Sequence, residues 1–273
     1  MRVTDKISCH NYVEADGFAY FSNWFYNGLF KVEILTGKTY FLGCFNGEKY
    51  SAKNLHWEIF LKNKRIYFCP WRSKHVHIYN LEEKSLVSVK FKNESEEFYK
   101  IEKVILDNNK LFLIPEEKGN CMFELGINSL CVTRISGRQE IHGSLLSKCK
   151  DFFPAGELIK KYGIERADKF WWRQVYQGVW YGFLPLGRHL LKYTEGRNDV
   201  EYIPLNVVNE TRLKEYLVHV ERQILIERLT LGENIDTRIS DFLNMFANIK
   251  TDDYQTLRLG KSNGEKIWKV LAD

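Results

Sequence analysis

The stretch Lys64-Arg65-Ile66-Tyr67-Phe68-Cys69-Pro70-Trp71-Arg72-Ser73-Lys74-His75-Val76-His77-Ile78-Tyr79-Asn80-Leu81 decides the fold. Two short runs of β-branched and aromatic residues flank a proline and a polar loop, which predicts a pair of antiparallel strands. The pattern recurs three more times. Phe21-Ser22-Asn23-Trp24 leads to Gly28-Leu29-Phe30-Lys31-Val32, and Leu113-Ile114-Pro115-Glu116 leads to Asn120-Cys121-Met122-Phe123-Glu124. The last copy is Phe183-Leu184-Pro185-Leu186, leading to His189-Leu190-Leu191-Lys192-Tyr193. Three of the five prolines occupy one repeat position, and Asn23 holds it in the remaining copy. The anchors Phe21, Phe68 and Leu113 are 47 and 45 residues apart, and Phe183 follows after 70.

Each copy carries further strand-like runs on either side. His56-Phe60, Ile101-Ile105 and Lys169-Arg173 precede an anchor, and Thr39-Leu42, Leu86-Val89, Leu130-Thr133 and Val200-Ile203 close a copy. Asp16-Gly17, Thr36-Gly37, Asn108-Asn109 and Gln177-Gly178 are turn signals between them. Four short strands per unit of about 45 residues is the pattern of a β-propeller blade. A lone blade leaves both faces apolar and must stack on neighbours to bury them. The reading is therefore a mostly β chain: a β-propeller, or a propeller-like arc of about four visible four-stranded blades. The repeats span 1–205, with a helical insertion at about 141–167, and 206–273 forms a C-terminal helical extension.

In the insertion, Leu145, Leu146, Cys149 and Phe152 form one helical stripe, and Leu158, Ile159 and Tyr162 a second. After Leu205 the period becomes helical. Asn209 or Thr211 can cap a helix with Leu213, Leu217, Val220 and Ile224 on one face. Asp236 can cap another, and Gly264 to Leu271 reads as a short helix.

The line Lys64-Arg-Ile-Tyr-Phe68, the line Val76-His-Ile-Tyr-Asn-Leu81 and the closing Gly264-Glu-Lys-Ile-Trp268 resemble uncharacterised bacterial propeller proteins, kelch-like or similar to the galactose oxidase central domain. The resemblance implies blade architecture and no particular activity. The Gly-Gly doublet of true kelch repeats is missing from every copy.

Composition bounds the function. The 273 residues are 44% hydrophobic and 27% charged, an ordinary globular balance. Forty basic against 35 acidic residues give a net charge of +5, and the two signs are interleaved. With no basic stripe, nucleic acid is not an expected partner. No apolar run reaches the roughly 18 residues of a membrane span. Met1 to Tyr12 lack a secretory pattern, so a cytoplasmic location is expected. The six cysteines form no CxxC pair and read as reduced thiols.

The motifs GxSxG, GxxxxGK[ST] and HExxH are missing, and Gly260-Lys261-Ser262 reads as a turn. Glu82-Glu83 and Glu116-Glu117 are adjacent pairs whose side chains diverge on a strand. His75 and His77 put two imidazoles on one strand face, but spacing indicates no third ligand, so neither a metal nor a cofactor is expected.

The suggestive residues lie in the loop after each anchor. Trp24, Trp71, Arg72, Lys74, His75, Glu116, Arg188 and His189 fall on equivalent loops, which a propeller gathers on one rim. Trp and Arg are the residue types that anchor partners, and indole faces stack on sugars. The functional expectation is a non-catalytic binding or scaffold protein that recognises a protein or carbohydrate ligand. The alternative is a carbohydrate-active hydrolase or lyase in the propeller mouth, with Arg72, His75, Glu116 and His189 as candidates.

Overall fold

A computed structural model describes residues 6–91, 100–115, 121–136, 144–145, 173–176, 179–184, 188–194 and 200–230. The chain divides into two compact units, Met1–Glu210 and Thr211–Asp273. Among the described residues the first unit holds four antiparallel meanders, a propeller-like arc of four blades. Blade 1 is β1 (Val13–Ala15), β2 (Phe18–Ser22), β3 (Leu29–Glu33) and β4 (Lys38–Gly43). Blade 2 is β5 (His56–Lys62), β6 (Arg65–Pro70), β7 (His75–Asn80) and β8 (Ser85–Lys90). Blade 3 is β9 (Ile101–Asp107), β10 (Lys110–Pro115), β11 (Cys121–Gly126) and β12 (Cys131–Ser136), with β13 (Ser144–Leu145) added beside β9. Blade 4 is β14 (Arg173–Tyr176), β15 (Val179–Phe183), β16 (His189–Thr194) and β17 (Val200–Pro204).

Strand β6 shows why the blades stack. Ile66 and Phe68 join the core shared with blade 1, beside Tyr20, Leu29 and Phe45. Tyr67 and Cys69 point the opposite way, into the core shared with Val104, Leu111, Leu113 and Phe123 of blade 3. The period of two thus feeds two cores from one strand. Each fully buried side chain of this size stabilises the fold by about 1.5–3 kcal/mol. The repeat anchors Phe21, Phe68, Leu113 and Phe183 are all buried.

The turns follow the same repeat. The β1–β2, β5–β6 and β9–β10 connections hold Asp16-Gly17, Asn63-Lys64 and Asn108-Asn109 at positive φ. Consecutive left-handed residues match the twist of a two-residue hairpin. One repeat position departs from proline for a visible reason. The Asn23 side chain accepts Ser8 N–H at 3.0 Å and donates to Lys6 O at 3.4 Å, so it ties the N-terminal segment to blade 1. Proline at that position would offer no such group.

Blade 4 abuts blade 1. Tyr12 Oη donates to Tyr181 O at 2.7 Å, and the rings of Phe21 and Phe183 lie 4.6 Å apart. The chain then leaves β17 and runs along the open edge of blade 1 as β18 (Asn206–Val207), parallel to β4. Asn206 N–H donates to Gly37 O and Val208 N–H to Thr39 O. The late strand thereby covers the ladder groups on the open edge of β4. Gly37, at φ 71°, is required there, because a Cβ would stand 2.2 Å from Pro204 O.

Two expectations change in detail. Leu145, read as part of a helical stripe, lies in β13; the rest of that insertion falls outside the described residues. The last inner strand is Arg173–Tyr176, beginning where the predicted run 169–173 ends. In the second unit, α1 (Glu210–Thr230) buries Leu213, Tyr216, Val220 and Leu225. Asn209 precedes it, yet its side chain serves β4: it accepts Phe41 N–H at 2.9 Å and donates to Phe41 O at 2.7 Å. The helices expected around Asp236 and Gly264 fall outside the described residues. Among those residues no helix is long and apolar enough to cross a membrane.

Candidate functional site

The loop Trp71–Lys74 joins β6 to β7 and is fixed by one acceptor. Leu55 O, just before β5, receives the N–H groups of Trp71, Arg72 and Ser73 at 2.8, 3.2 and 3.2 Å. This grip sets Trp71 against Trp57, near the start of β5. Their rings are nearly parallel, 4.9 Å apart and 26° inclined. His10 packs on Trp24 and lies 5.1 Å from Trp57, so the aromatic run continues to blade 1. Lys100, at the entry to blade 3, places its ammonium 5.3 Å from the Trp71 ring. Trp24, Trp57 and Trp71 are half-buried, and Arg72 and Lys74 are exposed beside them. An indole pair with one side sheltered and one side wet suits a flat ligand, and cations over a ring add electrostatic attraction.

Beneath this row lies a polar chain. His77, on β7, pairs with the anchor Phe68, as Phe30, Phe123 and Leu190 pair with the anchors of the other blades, and His56 aligns with Ile101. Both imidazoles are buried. Asn46 O can only accept, so His77 Nε2–H donates to it at 3.2 Å. His77 Nδ1 then accepts from His56 Nε2–H at 2.8 Å, and His56 Nδ1 accepts from the Ser22 hydroxyl at 2.9 Å. Every ring nitrogen in the pair is used, which a buried polar group requires. Burial pushes His56 well below the ordinary imidazole range, with His77 adding to the effect. Burial takes His77 down to about 4, against the opposing influence of Asn46 O and Glu48. Both are neutral at pH 7.

Glu48 lies next to this chain, in the connection from β4 to β5. That connection is positioned by Asn27, which accepts Phe45 N–H at 2.8 Å and donates to Phe45 O at 3.0 Å. Glu48 Oε1 receives Ser73 Oγ–H at 2.8 Å, Lys74 N–H at 2.9 Å and His75 Nδ1–H at 2.8 Å. Burial alone would raise its pKa, but the bonds from His75, Ser73 and Lys74 together hold it below the usual carboxylate value. The carboxylate fixes His75 with its proton on Nδ1, leaving Nε2 as the basic nitrogen. The donor atoms of Glu48, His75 and His77 lie within 4.8 Å of one another.

The structure therefore gathers Trp71, Arg72, Lys74 and His75 in one loop and reaches Trp24 through His10 and Trp57. Arg188 and His189 belong to blade 4, where Leu205 N–H donates to Arg188 O and His189 is edge-on to Tyr202. Glu116 falls outside the described residues. Sequence reasoning missed Trp57, His10, Lys100, Glu48 and His56: Trp57 and His56 join through the pairing of β5 with β6 within blade 2, and His10, Glu48 and Lys100 come from segments outside the strands of that blade. The one local signal was a polar residue, His77, at a repeat position that is otherwise apolar.

No family model matches the chain. No curated protein matches it. Among solved structures it is similar to a streptogramin B lyase, with a TM-score of 0.36 and 9% identity over 74% of this chain and 71% of that one. It is also similar to virginiamycin B lyase from Staphylococcus aureus, with a TM-score of 0.32 and 13% identity over 75% of this chain and 55% of that one. A third similarity is to the extracellular domain of a one-component system protein, BT4673, from B. thetaiotaomicron, with a TM-score of 0.33 and 10% identity. There it covers 73% of this chain and 22% of that one, so the chain spans about a fifth of that protein and about half of the S. aureus lyase. The propeller-like arc rests on this chain's own sheets, not on these similarities.

Proposed function

We propose that the protein is a non-catalytic recognition protein whose rim binds a carbohydrate or protein partner. The observation that carries this reading is the paired Trp57 and Trp71 rings, continued through His10 to Trp24 and flanked by the cations Arg72, Lys74 and Lys100. Rigid aromatic anchors cost little conformational entropy on binding, and Trp71 is already fixed by the Leu55 O grip and the Trp57 ring, and Trp24 by its packing against His10. Indole faces favour the flat apolar side of a sugar ring, while the neighbouring guanidinium and ammonium groups suit its oxygens. A glycan array run beside pull-down from native lysate tests it. Binding that falls at least about tenfold in Trp57→Ala/Trp71→Ala supports the reading; binding that survives the double change overturns it.

The alternative, a hydrolase or lyase acting on carbohydrate, is favoured by one observation: Glu48 orients His75 as a carboxylate orients a general base. Release of cleaved or unsaturated sugar that disappears in His75→Ala would select that reading over the first.

A further inference from the structure

We propose that Glu48, His75 and His77 form a binding site for one divalent first-row transition-metal ion, open to solvent on the His75 side. The inference is independent of the recognition reading, since a rim can bind ligand with or without an ion beneath it. Two imidazoles come from alternate residues of β7 and so share a face, and the carboxylate comes from the β4–β5 connection. Their donor atoms lie within 4.8 Å of one another. An ion bound at about 2.0–2.1 Å in tetrahedral geometry needs donors about 3.3 Å apart, so only small movements separate the present arrangement from a coordinated one. Two nitrogens and one oxygen are a donor set for zinc and its neighbours rather than for magnesium or calcium.

The surroundings meet the further requirements of such a site. Ser73 Oγ–H and Lys74 N–H already hold the carboxylate, and His56 already holds the second nitrogen of His77. Partners of this kind orient ligands in metal centres. The polar chain also tolerates the change that coordination demands. With an ion on His77 Nε2, the ring proton moves to Nδ1 and is donated to His56 Nε2, whose own proton then sits on Nδ1 facing Ser22 Oγ. Each of those contacts survives with its direction reversed. Asn46 O loses the His77 donor but keeps the Ser88 hydroxyl at 3.0 Å. On the other side, the ion takes the place of the proton between His75 and Glu48. His75 is 15% exposed and Glu48 6%, so the ion enters past His75 and retains a position for water.

The test uses the full chain, dialysed against chelator and titrated with Zn²⁺ by calorimetry, with Co²⁺ absorption reporting coordination number. One ion per chain is expected, with the band intensity of a four- or five-coordinate site. Glu48→Gln and His75→Ala should each weaken binding at least about tenfold, with unchanged far-ultraviolet dichroism in the ion-free state. If Glu48→Gln fails to fold, His75→Ala decides alone, because that side chain is on the rim. No uptake by the native chain, or uptake undiminished by the substitutions, overturns the site.

Discussion

Gly47 is the residue on which the site's backbone depends. It sits at φ 83°, and a Cβ there would lie 2.7 Å from His75 Cε1. Gly17, at φ 79°, has open space around the same point. Gly47→Ala therefore meets both left-handed strain and a collision, whereas Gly17→Ala meets strain alone. Strain of this kind costs about 1–3 kcal/mol, so urea denaturation should show both variants destabilised and Gly47→Ala the more so. Equal losses would show that the His75 contact is soft. A pH dependence also belongs to single residues. Burial, with Tyr79 and Asp16 nearby, pushes Tyr20 up to about 12, and burial raises Tyr79 and Tyr67. An unfolded tyrosine releases its proton near 10 while the folded one keeps it, so stability should be level below pH 10 and fall from there toward 12. The measurement is the denaturation midpoint at pH 9 and pH 11; no decrease would contradict it.

Among the elements, the β3–β4, β7–β8 and β11–β12 turns each place one residue at positive φ: Gly37, Lys84 and Leu130. Of these three turns, the one in blade 1 uses glycine. Lys84 is exposed, so Lys84→Gly relieves the left-handed cost of a side chain without removing packing, and should stabilise the chain by about 1 kcal/mol. A fall in the thermal midpoint would refute that account. The same elements show what could be read from the sequence. The anchor spacings of 47 and 45 are reproduced by the hairpin residues Asp16, Asn63 and Asn108, because blades 1 to 3 repeat one turn at the same place. Asn63-Lys64 escaped the reading, since lysine seldom adopts positive φ. Trp71, Arg72, Lys74 and His75 were legible because they are contiguous after a recognised strand. Glu48 was not: it reaches His75 from 27 residues away, across a connection whose course is set by Asn27. Local periodicity carries no trace of such a meeting.

At the scale of the first unit, the seam between its earliest and latest strands is polar as well as apolar. Tyr12→Phe would remove the bond to Tyr181 O and leave that carbonyl without this donor, at a cost of about 1–3 kcal/mol. Amide hydrogen exchange should quicken in β2 and β15 more than in β10; uniform exchange would show that the seam does not open separately. The strap Asn206–Asn209 has a consequence for biosynthesis. It covers β4, yet it is made more than 160 residues after that strand. Until it emerges from the ribosome, Lys38–Gly43 presents bare amide and carbonyl groups to any passing strand. A nascent chain stalled before Asn206 would therefore be the aggregation-prone species, and the finished chain, its flank sheathed, would not.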